Sequence, residues 1–482
     1  MISGHQEFWR RHPAFLVGVN LLIGTSSFLF WDAPSNWLLP SLWCAYQILL
    51  RFWPSLPLVA ASAAYSVFLY SPAPEPTKEI KAYFSISSLQ PQQTPFQKRL
   101  LYKGTLFFDS TRIPCSLSIN PQNRPLADKD YLLTGTLLQR APYQYGFKPK
   151  QWMPVEGTCR WAEGRYQTKE ALRRFLEIKL PSPRTATLLS SLLTGDVEDR
   201  SLRYEFSRVG LQHLLAISGF HFGLLIAFCS FFLGLILPSR WKILALLIAV
   251  NVYFLFVGSS PAVLRSWLTA TLYLCGKLMG RHTTGINLLG ASIGAETLID
   301  PLCSANLGFQ LSFLSCLGIL LFHPIFEAQL QKALPKRNPL EVENLTVAAK
   351  HGYLLTSLLR QSLSLTLAVN LAIFPLLLFH FHSFPLLSLL YNLFFPALLS
   401  IALFSLLLSL LLHLIWPFAA SFFFQITDFF TAQLLDLSAY PPLALDFSFR
   451  VLTLPAWAIP CFIFLFICIA IPYRDKKLDG VS

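Results

Sequence analysis

PLLSLLYNLFFPALLSIALFSLLLSLLL, residues Pro385 to Leu412, contains no charged side chain. At about 1.5 Å of helix rise per residue it is long enough to cross the roughly 30 Å of hydrocarbon in a bilayer. Runs of the same kind surround it in the second half of the chain, at Leu211–Leu237, Ile243–Val257, Val263–Met279, Gly285–Ile299, Cys303–Phe322, Leu354–Phe379, Phe418–Leu437 and Leu452–Ile471. Three shorter ones open the chain, at Pro13–Phe30, Trp37–Leu50 and Leu56–Tyr70. The fold class that follows is a polytopic α-helical membrane protein with about twelve transmembrane helices.

Composition agrees with that reading. Of 482 residues, 54% are hydrophobic and 13% charged, which excludes an ordinary water-soluble globule. The formal charge of +13, from 38 Lys and Arg against 25 Asp and Glu, suits a polyanion or an anionic membrane surface and does not choose between them. No small-residue cleavage site ends the first apolar run and another run follows closely, so a cleaved signal peptide is not expected.

Cations in the short connections set the orientation. Arg10 and Arg11, Arg51, Arg240 and Lys242, Lys277 and Arg281, Lys332 with Lys336 and Arg337, and Arg474 with Lys476 and Lys477 fall in alternate connections. By the positive-inside rule those connections face the cytoplasm, both termini lie inside, and the polar stretch from Ser71 to Pro183 lies outside. The expected organisation is N-terminal transmembrane helices over 1–74, an extracytoplasmic domain over 75–184, an amphipathic interfacial segment over 185–210, a polytopic domain over 211–472 and a short cytoplasmic tail over 473–482.

The exported domain reads as a small β-barrel. Ala82–Leu89, Leu100–Phe108, Ile113–Ile119, Tyr131–Leu138 and Gly157–Trp161 look like short strands between Pro, Gly, Asn and Asp turn signals. Five strands suggest an OB-fold, a barrel that commonly grips single-stranded nucleic acid through a basic groove and stacking aromatics. Between Glu75 and Arg184, Lys and Arg are twice as many as Asp and Glu. Lys103, Arg112, Arg140, Lys148, Lys150, Arg160 and Arg165 lie among Tyr102, Phe107, Tyr143, Tyr145, Trp152 and Trp161. That mixture suits phosphates and bases; a solvated basic surface over an ordinary aromatic core is the competing reading.

Of nine cysteines, Cys115 and Cys159 fall in the exported domain. Outside the membrane thiols meet an oxidising compartment, and two cysteines on two strands of one barrel are expected to form a disulfide, against the alternative of two buried thiols. No Cys and His spacing resembles a zinc site, and the close pair His380 and His382 lacks the further ligands a metal centre needs, so no metal is expected. From Thr185 to Arg208, Leu188, Leu189, Leu192 and Leu193 stand against Asp196, Glu198, Asp199 and Arg200, which suits a helix lying at the membrane interface.

The run from Gly210 to Leu224, GLQHLLAISGFHFGL, is the most specific local signal. It resembles the signature of the ComEC competence-protein family. Further segments resemble the same family in the same order: Gly258 to Arg265 (GSSPAVLR), Arg281 with Asn287, Asp300-Pro301, Gly308 to Phe313 (GFQLSF), and Phe384-Pro385 with Tyr391-Asn392 and Pro396. The resemblance covers nearly the whole chain. It implies that residues 211–472 form a channel for single-stranded DNA during natural transformation, in the bacterial inner membrane, with an OB domain outside. Many members of the family carry a metallo-β-lactamase-like domain after the last helix, whereas about ten residues follow Ile471 here. The expectation is a transporter that moves DNA without cutting it, not an enzyme. The partners implied are single-stranded DNA, membrane lipid, an external DNA receptor, a cytoplasmic helicase-like ATPase and single-strand-binding proteins, with homo-oligomerisation left open.

The residues suit that task. A strand in transit brings a charge at each phosphate, so its path must be hydrated and lined by polar groups. Arg265, His213, Ser218, His221, Gln310 and Asn392 are the candidates for that path, and Asn251 and Asn370 sit within other spans. An Arg at the bilayer centre costs about 2.5–3.5 kcal/mol on insertion scales, so Arg265 is expected to face protein or water, or else to snorkel to the outer interface. Helix-to-helix hydrogen bonding is the plainer role for Asn, Gln and Ser, and Gly219 with Gly223 has the spacing of a packing face. No Walker-type loop is present, so no nucleotide cofactor is expected and transport is driven elsewhere. The alternative from another class is a secondary transporter or lipid-processing membrane protein handling an anionic small molecule, which has no need of an exported barrel.

Overall fold

The computed structural model describes residues 2–29, 37–70, 79–93, 97–108, 111–141, 144–442, 447–450, 455 and 458–478. Four helices open the chain: α1 (Ile2–Arg11), α2 (Pro13–Leu29), α3 (Leu38–Leu49) and α4 (Pro57–Tyr70). Behind the barrel come α5 (Ala162–Lys179), α6 (Pro183–Thr194), α7 (Arg200–Arg208) and α8 (Gln212–Leu215). The second half is α9 (Gly219–Gly234), α10 (Ser239–Val257), α11 (Pro261–Leu278), α12 (Gly285–Ile299), α13 (Leu307–Leu330), the short α14 (Pro339–Glu343), α15 (Val347–Phe381), α16 (Leu387–Ile415), α17 (Pro417–Ala439) and α18 (Ala458–Leu478).

Five of these, α10, α13, α15, α16 and α17, are long and apolar enough to cross a membrane. Apolar but shorter are α3, α9, α12, Pro13–Ser27 of α2 and Cys461–Ile471 of α18. The opening of the last expected run, at 452–454 and 456–457, lies outside the described residues, as do Phe30, Tyr143 and residues 479–482; the side chains of Arg474, Lys476 and Lys477 are likewise outside them. α15 starts seven residues before the expected Leu354, because Thr346 caps its N-terminus by accepting from the Ala349 N–H at 3.4 Å. At 35 residues it is about 52 Å long and overshoots the hydrocarbon.

The expected single helix over Leu211–Leu237 is broken. α8 stops at Leu215, Ala216 turns extended (φ −83°, ψ 133°), Ser218 is extended (φ −136°, ψ −176°), and α9 begins at Gly219. Elsewhere glycine brings helices together. A Cβ on Gly18 of α2 would stand 2.2 Å from the Gly290 carbonyl oxygen of α12, so those two helices cross backbone to backbone.

Contacts between helix ends fix which ends share a side. The Tyr65 hydroxyl donates to the Leu298 carbonyl at 3.0 Å, the Tyr70 hydroxyl to Asp300 Oδ1 at 3.1 Å, and Arg165 to the Leu255 carbonyl at 2.8 Å. Asn287 meets the Arg11 carbonyl at the other end, at 3.2 Å. The turn after α15 and the segment after α17 pair as a two-stranded sheet, Ser383–Pro385 against Ser448–Arg450. These contacts group helix ends relative to one another; against the alternation read from the charged loops, the Phe175 ring of α5, in the stretch expected outside, lies 5.1 Å from His413 at the end of α16 expected inside.

Between α4 and α5 five strands close a barrel in the order β1-β2-β3-β5-β4: β1 (Glu79–Gln93), β2 (Lys98–Phe108), β3 (Thr111–Ile119), β4 (Tyr131–Ala141) and β5 (Gln144–Pro154). β1 pairs with β4 to complete the closure, and the β3 to β5 pairing is parallel. Alternate residues point inward, so Phe84, Tyr102, Leu106, Ile113, Leu117, Leu133 and Leu137 form one buried core. The fifth strand was expected at Gly157–Trp161. That stretch is instead the turn into α5, where Gly157 takes φ +80°, and the strand lies earlier, its alternation masked by Pro149 and Pro154.

Cys115 and Cys159 do not form the expected disulfide. Cys115 points into the barrel from β3, while Cys159 is exposed on the turn after β5, so their side chains lie on opposite sides of the wall. The segment 185–210 is helical and amphipathic as read, but its apolar face is covered by protein. Leu188, Leu189 and Leu192 of α6 and Phe206 of α7 are fully buried in a core they share with Leu399, Leu403 and Leu406 of α16 and Phe424 of α17.

Candidate functional site

The broken helix and the N-terminal part of α11 meet. Gly258 (φ +89°) ends α10, Pro261 opens α11 where its missing N–H costs nothing, and Arg265 follows one turn later. The residue is 7% exposed, and its guanidinium is held against α13, where Nε donates to Ser312 Oγ at 2.7 Å and Nη1 to Cys316 Sγ at 2.9 Å, while Nη2 donates to Ser266 Oγ of α11 at 3.3 Å. The Phe313 ring lies 5.9 Å away. Cys316 is nine residues inside α13, so Arg265 reaches into the bundle and does not snorkel outward. Among the described residues no carboxylate lies within ion-pairing distance of it; Glu296 on α12, 1% exposed, is its electrostatic neighbour.

Gly219 completes the surround. A Cβ there would lie 3.4 Å from Arg265 Nη2 and 3.7 Å from Ser266 Oγ, so the first residue of α9 faces the cation and not another backbone. Gly223 has nothing within 4 Å of an added Cβ and supplies no packing face. The Ser218 N–H donates to His221 Nδ1 at 3.3 Å, with His in the place a capping box gives to Glu or Gln. That bond assigns the ring tautomer with its proton on Nε2, a buried donor that finds no partner among the described residues. Glu296 Oε2, Ser304 Oγ and Gln310 Oε1 are likewise buried and unpaired there. Gln310 Nε2 donates to the Ser304 carbonyl at 2.8 Å, at the end of α13 that carries Ser312.

The other path candidates stand apart. Asn392, with an unpaired buried Oδ1, lies one turn along α16 from Ser388, which sits beside Gly210. His213 on α8 is exposed. Asn251 takes the Trp267 indole N–H at 3.0 Å and serves helix packing. A cavity of about 460 Å³ between α13, α15 and α16 is lined by Phe326, Leu367, Leu371, Phe374 and their neighbours, with Asn370 as the polar group; it holds none of the path candidates and its wall does not suit a polyanion.

In the barrel the candidates divide. Trp152 is a core residue, edge-on to Tyr131 at 5.2 Å and Tyr102 at 5.9 Å. Arg160 grips Asp130 through two 2.7 Å bonds. Lys150 pairs with Glu79 at 2.7 Å. Lys103, Arg112 and Lys148 are exposed, Trp161 is 84% exposed, and the Arg140 side chain lies outside the described residues. Arg165 is a strut between barrel and bundle, donating to the Ser87 carbonyl of β1 at 3.4 Å and the Leu255 carbonyl of α10 at 2.8 Å. A Cβ on Gly258 would stand 2.8 Å from its Nη1, so that glycine makes room for the strut. Desolvation pulls the Lys103, Arg165 and Lys169 cations below their usual values, and the charge of Asp196 opposes it in each case. Lys169 meets Asp196 at 3.0 Å.

The residues that sequence reasoning passed over as members of this cluster are Ser266, Glu296, Ser312 and Cys316. Ser312 and Cys316 stand four apart on α13, one face of a helix, which was the available signal.

Fold and site together define a helical membrane protein with an inserted small barrel and a polar seam at a break in one of its helices. The chain belongs to the competence protein family, whose profile matches residues 192–476 and so takes in the break, Arg265 and its surround. Over 210 residues it is 29% identical to ComE operon protein 3 of Bacillus subtilis (strain 168), a stretch that is 43% of this chain and 24% of that protein. This chain therefore matches about a quarter of its relative's length. No solved structure matches.

Proposed function

We propose that this chain carries single-stranded DNA across the bacterial cytoplasmic membrane during natural transformation. The observation that carries the reading is the break at Ala216–Ser218 packed against the buried Arg265 guanidinium. Irregular backbone at membrane depth is tolerated where it is enclosed by protein or lines a wet cavity, and half-helix N-termini favour anionic groups. The α9 N-terminus, the Arg265 fork and the unpaired His221 Nε2–H make a donor-rich surround of the kind a phosphate requires. In this reading Ser218 and Gln310 shape the seam, His213 and Asn392 line its approaches, twelve helices span the membrane, both termini are cytoplasmic, and the barrel is an OB-fold-like domain on the outside. An external receptor delivers DNA, a cytoplasmic ATPase draws the strand inward, and the chain itself supplies the route and no covalent step.

Arg265 gives the test. At equal membrane abundance, Arg265→Leu is expected to reduce cytoplasmic arrival of labelled DNA severely, and Arg265→Lys to fall between it and the parent, because Lys keeps the charge and loses the fork. Import by Arg265→Leu at the parental level would make the residue a packing anchor and remove it from the path.

A further inference from the structure

Strand register places one row of outward side chains around the barrel. Arg112 on β3 is opposite Phe107 on β2, Phe107 is opposite Tyr83 on β1, Tyr83 is opposite Leu132 on β4, and Leu132 is opposite Met153 on β5. Their neighbours along each strand, Ile113, Leu106, Phe84 and Leu133, are buried, so by alternation the row faces out. Phe107 is 43% exposed, Leu132 38% and Met153 49%. Tyr83 lies half-buried with its ring 5.9 Å from Phe107. Four inter-strand steps of about 4.8 Å make a strip roughly 19 Å long following the curve of the wall.

The strip is narrow. On one side the next row is Pro114, Thr105 and Ser85, and on the other Lys81, Thr134 and Gln151. A narrow apolar track bordered by a proline, hydroxyls, an amide and a cation does not make the broad apolar face that a membrane-inserted element buries. It has the form of a stacking track for bases, with phosphates falling on the polar borders. Arg112 at one end and Lys81 on a border supply positive charge, and among the described residues neither is in an ion pair. Asp130 beside the strip is neutralised by Arg160 and bonded by the Tyr83 hydroxyl.

We infer that the outward row Arg112, Phe107, Tyr83, Leu132 and Met153 is the surface on which the barrel holds single-stranded DNA, Phe107 and Tyr83 stacking bases, Leu132 and Met153 packing beside them and Arg112 meeting a phosphate. The inference rests on the function proposed above and names a surface other than the aromatics Tyr102, Tyr145 and Trp152, which are core. The test uses the full chain in lipid nanodiscs and a fluorescent oligothymidylate of about 16 nucleotides. Phe107→Ala is expected to weaken binding by about 5- to 150-fold, the range for losing one aromatic base stack, and Met153→Ala to weaken it by less. Arg112→Gln should lower the salt dependence by about 0.7 in slope, and Ser118→Ala, exposed on β3 off the strip, should bind as the parent does. Parental binding with unchanged Phe107→Ala and Met153→Ala affinities overturns the strip and leaves the proposed function standing. Quenching of a dye at residue 153 by headgroup-nitroxide lipids, with DNA affinity unaffected by these substitutions, makes the strip a membrane contact. No binding by the parent overturns the strip and the barrel's part in transport together.

Discussion

Arg265 was legible in the sequence as an ionisable group in an apolar run, but its direction was not. Outward snorkelling and inward burial are equally open to a side chain one turn into a helix, and the Ser312, Ser266 and Cys316 partners decide for burial. Gly219 shows a similar gap: its spacing to Gly223 suggests helix packing, yet it is the guanidinium that fills the space. A methyl at Gly219 would sit 3.4 Å from Nη2, which is ordinary contact. Gly219→Ala is therefore expected to keep membrane abundance and most DNA import, while Gly219→Leu displaces the guanidinium and lowers both. Equal abundance and import for Gly219→Leu would mean that the cation is not confined there.

At the scale of elements, long apolar runs were legible because no other structure satisfies the backbone in lipid, and four of the five strands because their alternation is clean. The break in the first helix of the polytopic domain was not, since Ser218 and Gly219 are residue types that membrane helices carry at their packing faces without breaking. The disulfide failed because pairing depends on which side of a barrel wall each cysteine faces. The Asp130 ties also needed coordinates. Burial pushes the Asp130 carboxyl up, but the Arg160 guanidinium and the Tyr83 hydroxyl outweigh it and hold it below the usual range. A depressed native value means the stabilisation is present above the unfolded value, near 4, and is lost as pH falls through the native one. Asp130→Asn should accordingly destabilise the barrel by about 1–3 kcal/mol at pH 7, read by pulse proteolysis of the full chain in urea, with the difference shrinking below about pH 4. A difference that persists undiminished at low pH would assign the loss to something other than the charge.

Across the whole molecule, the alternation of charged loops assigns helix ends to two sides; the contacts of Tyr65, Tyr70, Arg165 and Asn287 join ends assigned to one side, while Phe175 against His413 joins ends assigned to opposite sides. Accessibility tags at residues 260, 301, 384 and 448 should thus report the same side as a tag in the barrel, and tags at 11, 281 and 334 the opposite side. A split within either group would break the topology. How barrel and bundle join was illegible, because Arg165 and Lys169 share one face of α5 but their partners, the Leu255 carbonyl and Asp196, lie far off in the sequence and meet them only in the fold. The central claim is that the assembled molecule passes a strand inward, and its most direct test is uptake of labelled duplex DNA by competent cells lacking this chain, with surface capture and cytoplasmic label scored separately. The account predicts undiminished capture and no cytoplasmic label, restored by the parental chain. Cytoplasmic label at the parental level in its absence would contradict it.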